Sequence, residues 1–175
     1  QLDIPYKIND DKKGTITIFK DNTEIFKIEL LKEKFFDGLK DLRFRWSNSG
    51  KYLIISQLRK DLIFDIENRR KIPAPTNDGI LDIEWSLDDQ KAVFQSFTSE
   101  NSDQDPTYIW NLENNDTEMI GSFEFSNYYW SPDNTNLFQV YMVDGIVNRY
   151  SLKEHEWQEV HTTTKSIHEN SFRVL

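Results

Sequence analysis

The sequence predicts an all-β protein built from a repeated unit of four short strands. A Trp-Ser pair recurs at 46–47, 85–86 and 130–131, so the tryptophans are 39 and 45 residues apart. Each pair ends a short alternating run and is followed by a polar turn and a strongly apolar run, which is typical of two strands of a hairpin. Apolar residues at helical spacing occur only over about two turns, within 29–42. A repeat of this length and pattern indicates the four-stranded blade of a β-propeller.

A second hairpin follows the first in every unit. It consists of an apolar run, a polar turn and another strand, and it occupies residues 61–72, 108–120 and 146–160. We therefore expect each unit to contain strand, turn, strand, connection, strand, turn and strand, all antiparallel.

The turn that follows each tryptophan resembles the turn of WD-repeat and TolB-type β-propellers. The clearest copy is Trp130-Ser131-Pro132-Asp133, and variants of it begin at Trp46 and Trp85. The apolar runs at 62–66 and 108–112 look like the third blade strand of WD repeats. The resemblance covers about residues 39–160, and it implies a fold more than a function, since propellers have unrelated functions.

We expect one β-propeller domain over residues 1–175, with about four blades. Its predicted parts are a partial blade at 1–31, complete blades at 39–73, 80–123 and 125–162, and a possible closing strand at 171–175. Two arrangements stay open. Either the chain forms a small closed ring, or it is part of a larger propeller that is completed by other blades or by self-association with a second copy.

The three repeated tryptophans are predicted to be structural. Trp46, Trp85 and Trp130 share one position in the repeat, which is what packing between neighbouring blades requires and a single binding site does not.

Composition narrows the classes of partner and site. With 21 basic and 30 acidic residues the formal net charge is −9, which disfavours nucleic acid. The densest basic cluster, 69–71 with 59–60 before it, is interpreted as a solvated strand end and turn. There is no cysteine, no apolar run of membrane-spanning length and no phosphate-binding loop, and the three histidines form no metal-binding pattern. We expect no cofactor and no catalytic residues, and the compartment stays open.

Two connections are predicted to form a binding face. The segment 97–106 replaces the short connection of the other units, and the link 72–79 joins two blades at the same end of the sheets. The acidic character of 97–106 suggests a protein partner with a basic surface, with Ca²⁺ at Asp103 and Asp105 as a minor alternative. A flexible insertion that binds no partner is the other interpretation that stays open. The candidate binding residues are Pro75, Asn77, Asp78, Phe97, Glu100, Asp103, Asp105 and Tyr108.

Taken together, these features predict a non-catalytic propeller module that mediates protein–protein interaction through its loop face. Two alternatives stay open. The chain could be the gating or accessory portion of a prolyl-oligopeptidase-like hydrolase, which TolB-type blades resemble, or a secreted or cell-envelope TolB-like binding domain.

Overall fold

A computed structural model of the chain describes residues 6–10, 14–30, 42–57, 59–97, 105–123, 126–141 and 145–162. These residues form fifteen strands joined by turns. The strands of the first half are β1 Tyr6–Asp10, β2 Thr15–Lys20, β3 Thr23–Glu29, β4 Arg43–Trp46, β5 Tyr52–Gln57, β6 Lys60–Asp65 and β7 Arg70–Ile72. Those of the second half are β8 Ile80–Trp85, β9 Lys91–Ser96, β10 Asp105–Asn111, β11 Asp116–Phe123, β12 Asn127–Trp130, β13 Asn136–Tyr141, β14 Ile146–Ser151 and β15 Glu156–Thr162.

The strands form one three-stranded and three four-stranded sheets, each ordered as along the chain. The sheets are β1–β3, β4–β7, β8–β11 and β12–β15, and the strand pairs with a resolved register are antiparallel. The predicted all-β class with four-stranded antiparallel units is therefore confirmed. The chain divides into two compact units, 1–81 and 82–175, so each unit carries two sheets apart from the first residues of β8.

The central strands β5, β6 and β9 are almost wholly buried because their middle residues are apolar on both faces. Every residue of β5 is buried, and in β6 only the first residue is exposed. In β9 the five residues after Lys91 are buried. Strands covered on both faces are expected to be short continuous apolar runs, which is how 53–55 and 92–94 appear in the sequence.

A serine side chain closes the first hairpin of every four-stranded sheet. We call the segments 47–51, 86–90 and 131–135 the serine turns. In each, the serine Oγ accepts a hydrogen bond from the backbone N–H five residues on, at 3.0, 2.9 and 2.9 Å. The serine carbonyl accepts a second one from the N–H three residues on. The side chain thus satisfies a backbone donor and fixes the length of the turn.

Aspartates reinforce two of the serine turns. Ser86 and Ser131 donate their hydroxyl hydrogens to Asp88 and Asp133, at 2.7 and 2.6 Å. The fourth residue of each serine turn has a positive φ, with Gly50 at 79°, Asp89 at 55° and Asn134 at 56°. Asn and Asp tolerate this left-handed conformation better than most residues, so the repeat does not require a glycine there.

The turns of the second hairpins also contain a residue with a positive φ. Their turns end on a left-handed residue at equivalent positions, namely Arg69, Asn115 and His155, with φ between 52° and 61°. His155 is therefore placed by a turn that also accepts other residue types.

Each unit has its own apolar core. In the first unit the core combines Ile16 and Ile18 of β2 with Leu53, Ile55 and Phe64, and Trp46 packs against it half-buried. In the second unit Trp130 is buried in a cluster with Val93 and Ile109. The indole N–H of Trp130 donates to the Glu84 carbonyl of β8, 3.1 Å away.

Trp85, like Trp130, is buried in the second unit. Its ring centroid lies 6.2 Å from that of Trp110, so the two buried indoles pack together on the sheet β8–β11. The structural role of the three repeated tryptophans stays a prediction.

Some predicted boundaries differ from the structure. β10 begins at Asp105, three residues before the predicted strand start, so Asp105 and Pro106 pair with β11 and do not belong to a loop. A register shift between Thr107 and Tyr108 accommodates the early start. The predicted closing strand 171–175 lies outside the described residues, and the division into one domain stays a prediction.

Replacing Ser131 by alanine is expected to destabilise the second unit. The variant loses the acceptor for the Asn136 N–H and the donor to Asp133, which should lower the free energy of unfolding by about 1–2 kcal/mol. Urea unfolding followed by tryptophan fluorescence measures this. Ser122→Ala, at an exposed position of β11, is the matched control and should change stability by less than about 0.5 kcal/mol. Equal losses in both variants would contradict the role of the turn.

Candidate functional site

Two connections of the sheet β4–β7 enclose a groove at one end of that sheet. The antiparallel order places the β5–β6 turn and the link after β7 at the same end, opposite the serine turn. Between them lies a cavity of about 380 Å³, which we call the loop-end groove. It is lined by Arg59, Lys60, Asp61, Leu62, Lys71, Ile72, Pro73, Ala74, Thr76, Asn77 and Gly79.

The buried carboxylate of Asp61 joins the two walls of the groove. Its Oδ2 accepts a hydrogen bond from the backbone N–H of Ile80, 2.6 Å away, at the end of the link. Its Oδ1 accepts the hydroxyl hydrogen of Ser56 in β5. The link is thereby fastened to the strands that border it.

The guanidinium of Arg45 completes this network. Its Nη2 donates to the Ile80 carbonyl at 3.0 Å and to the Ser56 hydroxyl at 3.1 Å, and it lies 4.0 Å from Asp61 Oδ1. Burial raises the pKa of Asp61, while the hydrogen bonds from Ser56 and Ile80 and the charge of Arg45 act against that rise. Because the bonds of Asp61 go to the scaffold, we assign this carboxyl a positioning role.

The groove also depends on a close approach between two backbone segments. Gly79 has a φ of 84°, and a Cβ built on it would lie 2.7 Å from backbone atoms of Arg59. No other residue type fits there without moving one wall of the groove.

Positive charge surrounds the opening of the groove. Arg59, Lys60 and Lys71 are exposed, whereas the one acidic lining residue, Asp61, is buried. Although the whole chain is acidic, this end of the first unit favours a carboxylate ligand.

Three predicted binding residues lie on the link of the first unit. Asn77 is exposed and lines the groove, whereas Pro75 is half-buried and Asp78 is exposed next to it. The Asp78 N–H donates to the Thr76 hydroxyl at 3.1 Å, which shapes the link locally. Of these three residues, Asn77 lines the groove, and a binding role for all three stays a prediction.

The other predicted residues belong to the second unit. Phe97 is half-buried at the end of β9, and Tyr108 stacks on Phe94 with ring centroids 5.3 Å apart and planes at 19°. This cross-strand pair gives Tyr108 a packing role in the sheet. Asp105 is half-buried in β10. Glu100 and Asp103 lie outside the described residues.

The cations of the groove were not predicted from the sequence as part of a site. Arg59, Lys60 and Lys71 come from two clusters that we interpreted as a solvated strand end and turn, because nothing in the sequence brings 59–60 next to 71. The available signal was that Arg59 and Lys60 lie where the β5–β6 turn meets β6, and that Lys71 lies in β7, just before the link.

Among the described residues, no group of three or more histidine, cysteine, aspartate or glutamate side chains could hold a metal ion. No helix in that part of the chain has the length and apolar character needed to cross a membrane.

No family model matches the chain, and no curated protein is similar to it. Several solved structures are similar to the chain. A eukaryotic initiation factor has a TM-score of 0.59 at 13% identity, with 91% of this chain and 40% of that one covered. The β-propeller domain of the trilobed protease from Pyrococcus furiosus has a TM-score of 0.54 at 12% identity, covering 70% and 42%. A prolyl endopeptidase has a TM-score of 0.57 at 10% identity, covering 91% and 30%.

These identities show the fold alone. The sheets of this chain are of the β-propeller type, and the chain spans less than half the length of each of the three solved structures. A narrower membership among WD-repeat or TolB-type propellers stays a prediction.

Replacing Gly79 by alanine is expected to distort the loop-end groove. The new Cβ collides with the Arg59 backbone, and the left-handed φ adds strain, so the free energy of unfolding should fall by about 2–3 kcal/mol. Gly50→Ala is the matched control, because Gly50 has a similar φ of 79° in the serine turn and leaves Arg59 untouched. It should cost only about 1 kcal/mol. Equal losses in urea unfolding would contradict the close approach.

Proposed function

We propose that this chain is a non-catalytic β-propeller module that binds an acidic segment of a protein partner in the loop-end groove. The observation that carries the proposal is the groove itself, a cavity of about 380 Å³ between two fastened connections with three exposed cations at its opening.

Preorganisation supports binding at this place. The contacts of Asp61 and Arg45 hold the end of the link against β4 and β6 without any ligand. A ligand that enters the groove therefore does not have to order its walls, which reduces the entropic cost of association. The volume suits a few side chains of an extended segment, with the remaining contacts made by the exposed link.

The charge at the groove selects the chemistry of the partner. Arg59, Lys60 and Lys71 attract carboxylates, so we propose a partner segment that is rich in aspartate or glutamate. The partner with a basic surface was predicted from the acidic segment 97–106, of which the structure describes only 97, 105 and 106. That expectation concerns a different unit and stays a prediction.

The hydrogen bonds that Asp61 accepts from its own chain support a non-catalytic role. This acid is the buried titratable group of the groove, and its oxygens already accept bonds from Ile80 and Ser56. The two alternatives, a gating portion of a hydrolase and a secreted binding domain, stay predictions about a longer protein or its compartment.

Selection from a displayed library of random peptides tests the proposal. We expect the selected sequences to be enriched in aspartate and glutamate. Their affinity, measured by fluorescence polarisation, should fall about tenfold or more in the double variant Lys60→Glu/Lys71→Glu, because two attractive charges become repulsive.

The control is Lys20→Glu/Lys27→Glu, which makes the same charge change at exposed positions of β2 and β3 in the same unit. Its affinity should stay within about twofold of the wild-type value at physiological salt, where distant charges are screened. Selection of no peptide would overturn the binding role, and equal losses in both variants would overturn its location.

A further inference from the structure

The second unit contains a cavity that is larger than the loop-end groove and lies at the end of the sheets that carries the turns. The cavity has a volume of about 540 Å³ and lies where the serine turns and second-hairpin turns of the sheets β8–β11 and β12–β15 meet. We call it the turn-end cavity. Its size is in the range of small-ligand sites, and the aliphatic side chains of Ile109 and Leu152 contribute to its lining.

Strand register places opposite charges on one wall of this cavity. Asn111 of β10 pairs with Lys91 of β9 on one side and with Asp116 of β11 on the other. Residues directly opposite one another in antiparallel strands point to the same face, so the three side chains form a row. With strands about 4.8 Å apart, the Cα atoms at the two ends of the row are roughly 10 Å apart. Lys91 contributes an ammonium and Asp116 a carboxylate, whose Oδ2 accepts a hydrogen bond from the Asn114 amide at 2.7 Å. Between them, the Asn111 amide oxygen accepts from the Glu113 N–H at 3.0 Å, which leaves its amide NH2 toward the cavity as the donor.

A second carboxylate strengthens the acidic end of the row. Glu118 follows Asp116 by two residues on β11, so it lies on the same face. The Tyr150 hydroxyl donates to Glu118 Oε1 at 2.7 Å, and Nδ1 of His155 lies 2.6 Å from the same oxygen. Within the described residues, Glu118 Oε2 accepts no hydrogen bond.

The hydrogen bonds also keep Glu118 ionised. Burial raises the pKa of Glu118, but the hydrogen bonds from Tyr150 and His155 outweigh burial and hold the pKa below its usual value. The carboxylate is thus held in one orientation as an anion, with one oxygen available to a cationic group.

We propose that the turn-end cavity binds a short peptide with free ends, two or three residues long. The ammonium of the peptide lies at Asp116 and Glu118, its carboxylate lies at Lys91, and its peptide group hydrogen-bonds to the Asn111 amide. A tripeptide spans roughly 10 Å when extended, which matches the length of the row. The apolar lining takes small aliphatic side chains. No bond is made or broken, and the site is independent of the loop-end groove.

Isothermal titration calorimetry with L-alanyl-L-alanyl-L-alanine tests this site. We expect saturable binding, and at least tenfold weaker binding of the same peptide with an acetylated amino end and an amidated carboxyl end. Asp116→Asn/Glu118→Gln should weaken binding of the free tripeptide about tenfold, and Lys91→Gln should do the same from the other end of the row.

The matched control is Glu113→Gln, which removes an exposed charge from the adjoining turn and should leave the affinity within about twofold. Lys60→Glu/Lys71→Glu should also leave it unchanged, which separates this site from the groove. Equal affinity for the blocked peptide, absence of saturable binding, or an equal loss in Glu113→Gln would each overturn the proposal. Unfolding midpoints identify any variant that has lost its fold. If the double variant is such a case, the affinity of Lys91→Gln for the free tripeptide decides whether the proposal holds.

Discussion

The hydrogen bond from a backbone N–H to the serine Oγ in each serine turn is the constraint on which the sheets depend. It fixes the number of residues between the first two strands, and a shift by one residue would move every side chain to the opposite face. The register that follows buries the apolar runs of β5 and β9 between polar turns. Because the serine is the part that all three turns share, proline, glycine and aspartate can vary around it.

The connections at the two ends of the sheet β4–β7 are held in place in different ways. One end carries the compact turns, which are closed by their own backbone and side-chain bonds. The other end carries the β5–β6 turn and the link after β7, and this long link needs a separate device to become rigid. In the first unit that device is the buried Asp61 with its partners Arg45, Ser56 and Ile80. A buried acid is costly without partners, and here the partners belong to both walls of the groove, so the cost is offset only when the walls are together.

Much of the fold could be predicted from the sequence, because local patterns of residue types reveal the repeat. The Trp-Ser pairs, the apolar runs and the polar turns gave the four-stranded order without any long-range information. The site was predicted less completely. Asn77 was placed on a binding connection, but its neighbours Arg59 and Lys71 come from separate segments that only the sheet brings together. The row Lys91, Asn111 and Asp116 likewise depends on register across three strands, which residue types alone do not determine.

Amide hydrogen exchange at Ile80 tests most directly whether Asp61 preorganises the groove. We expect the Ile80 N–H to exchange at least tenfold more slowly than the Asn77 N–H in the same link. Asp61→Asn removes the negative charge beside Arg45 and one of the two acceptor oxygens that serve Ser56 and Ile80. In this variant the Ile80 N–H should exchange about tenfold faster, while the Asn136 N–H of a serine turn is unchanged. Fast exchange of Ile80 in the unaltered chain, or no response to the substitution, would contradict the account.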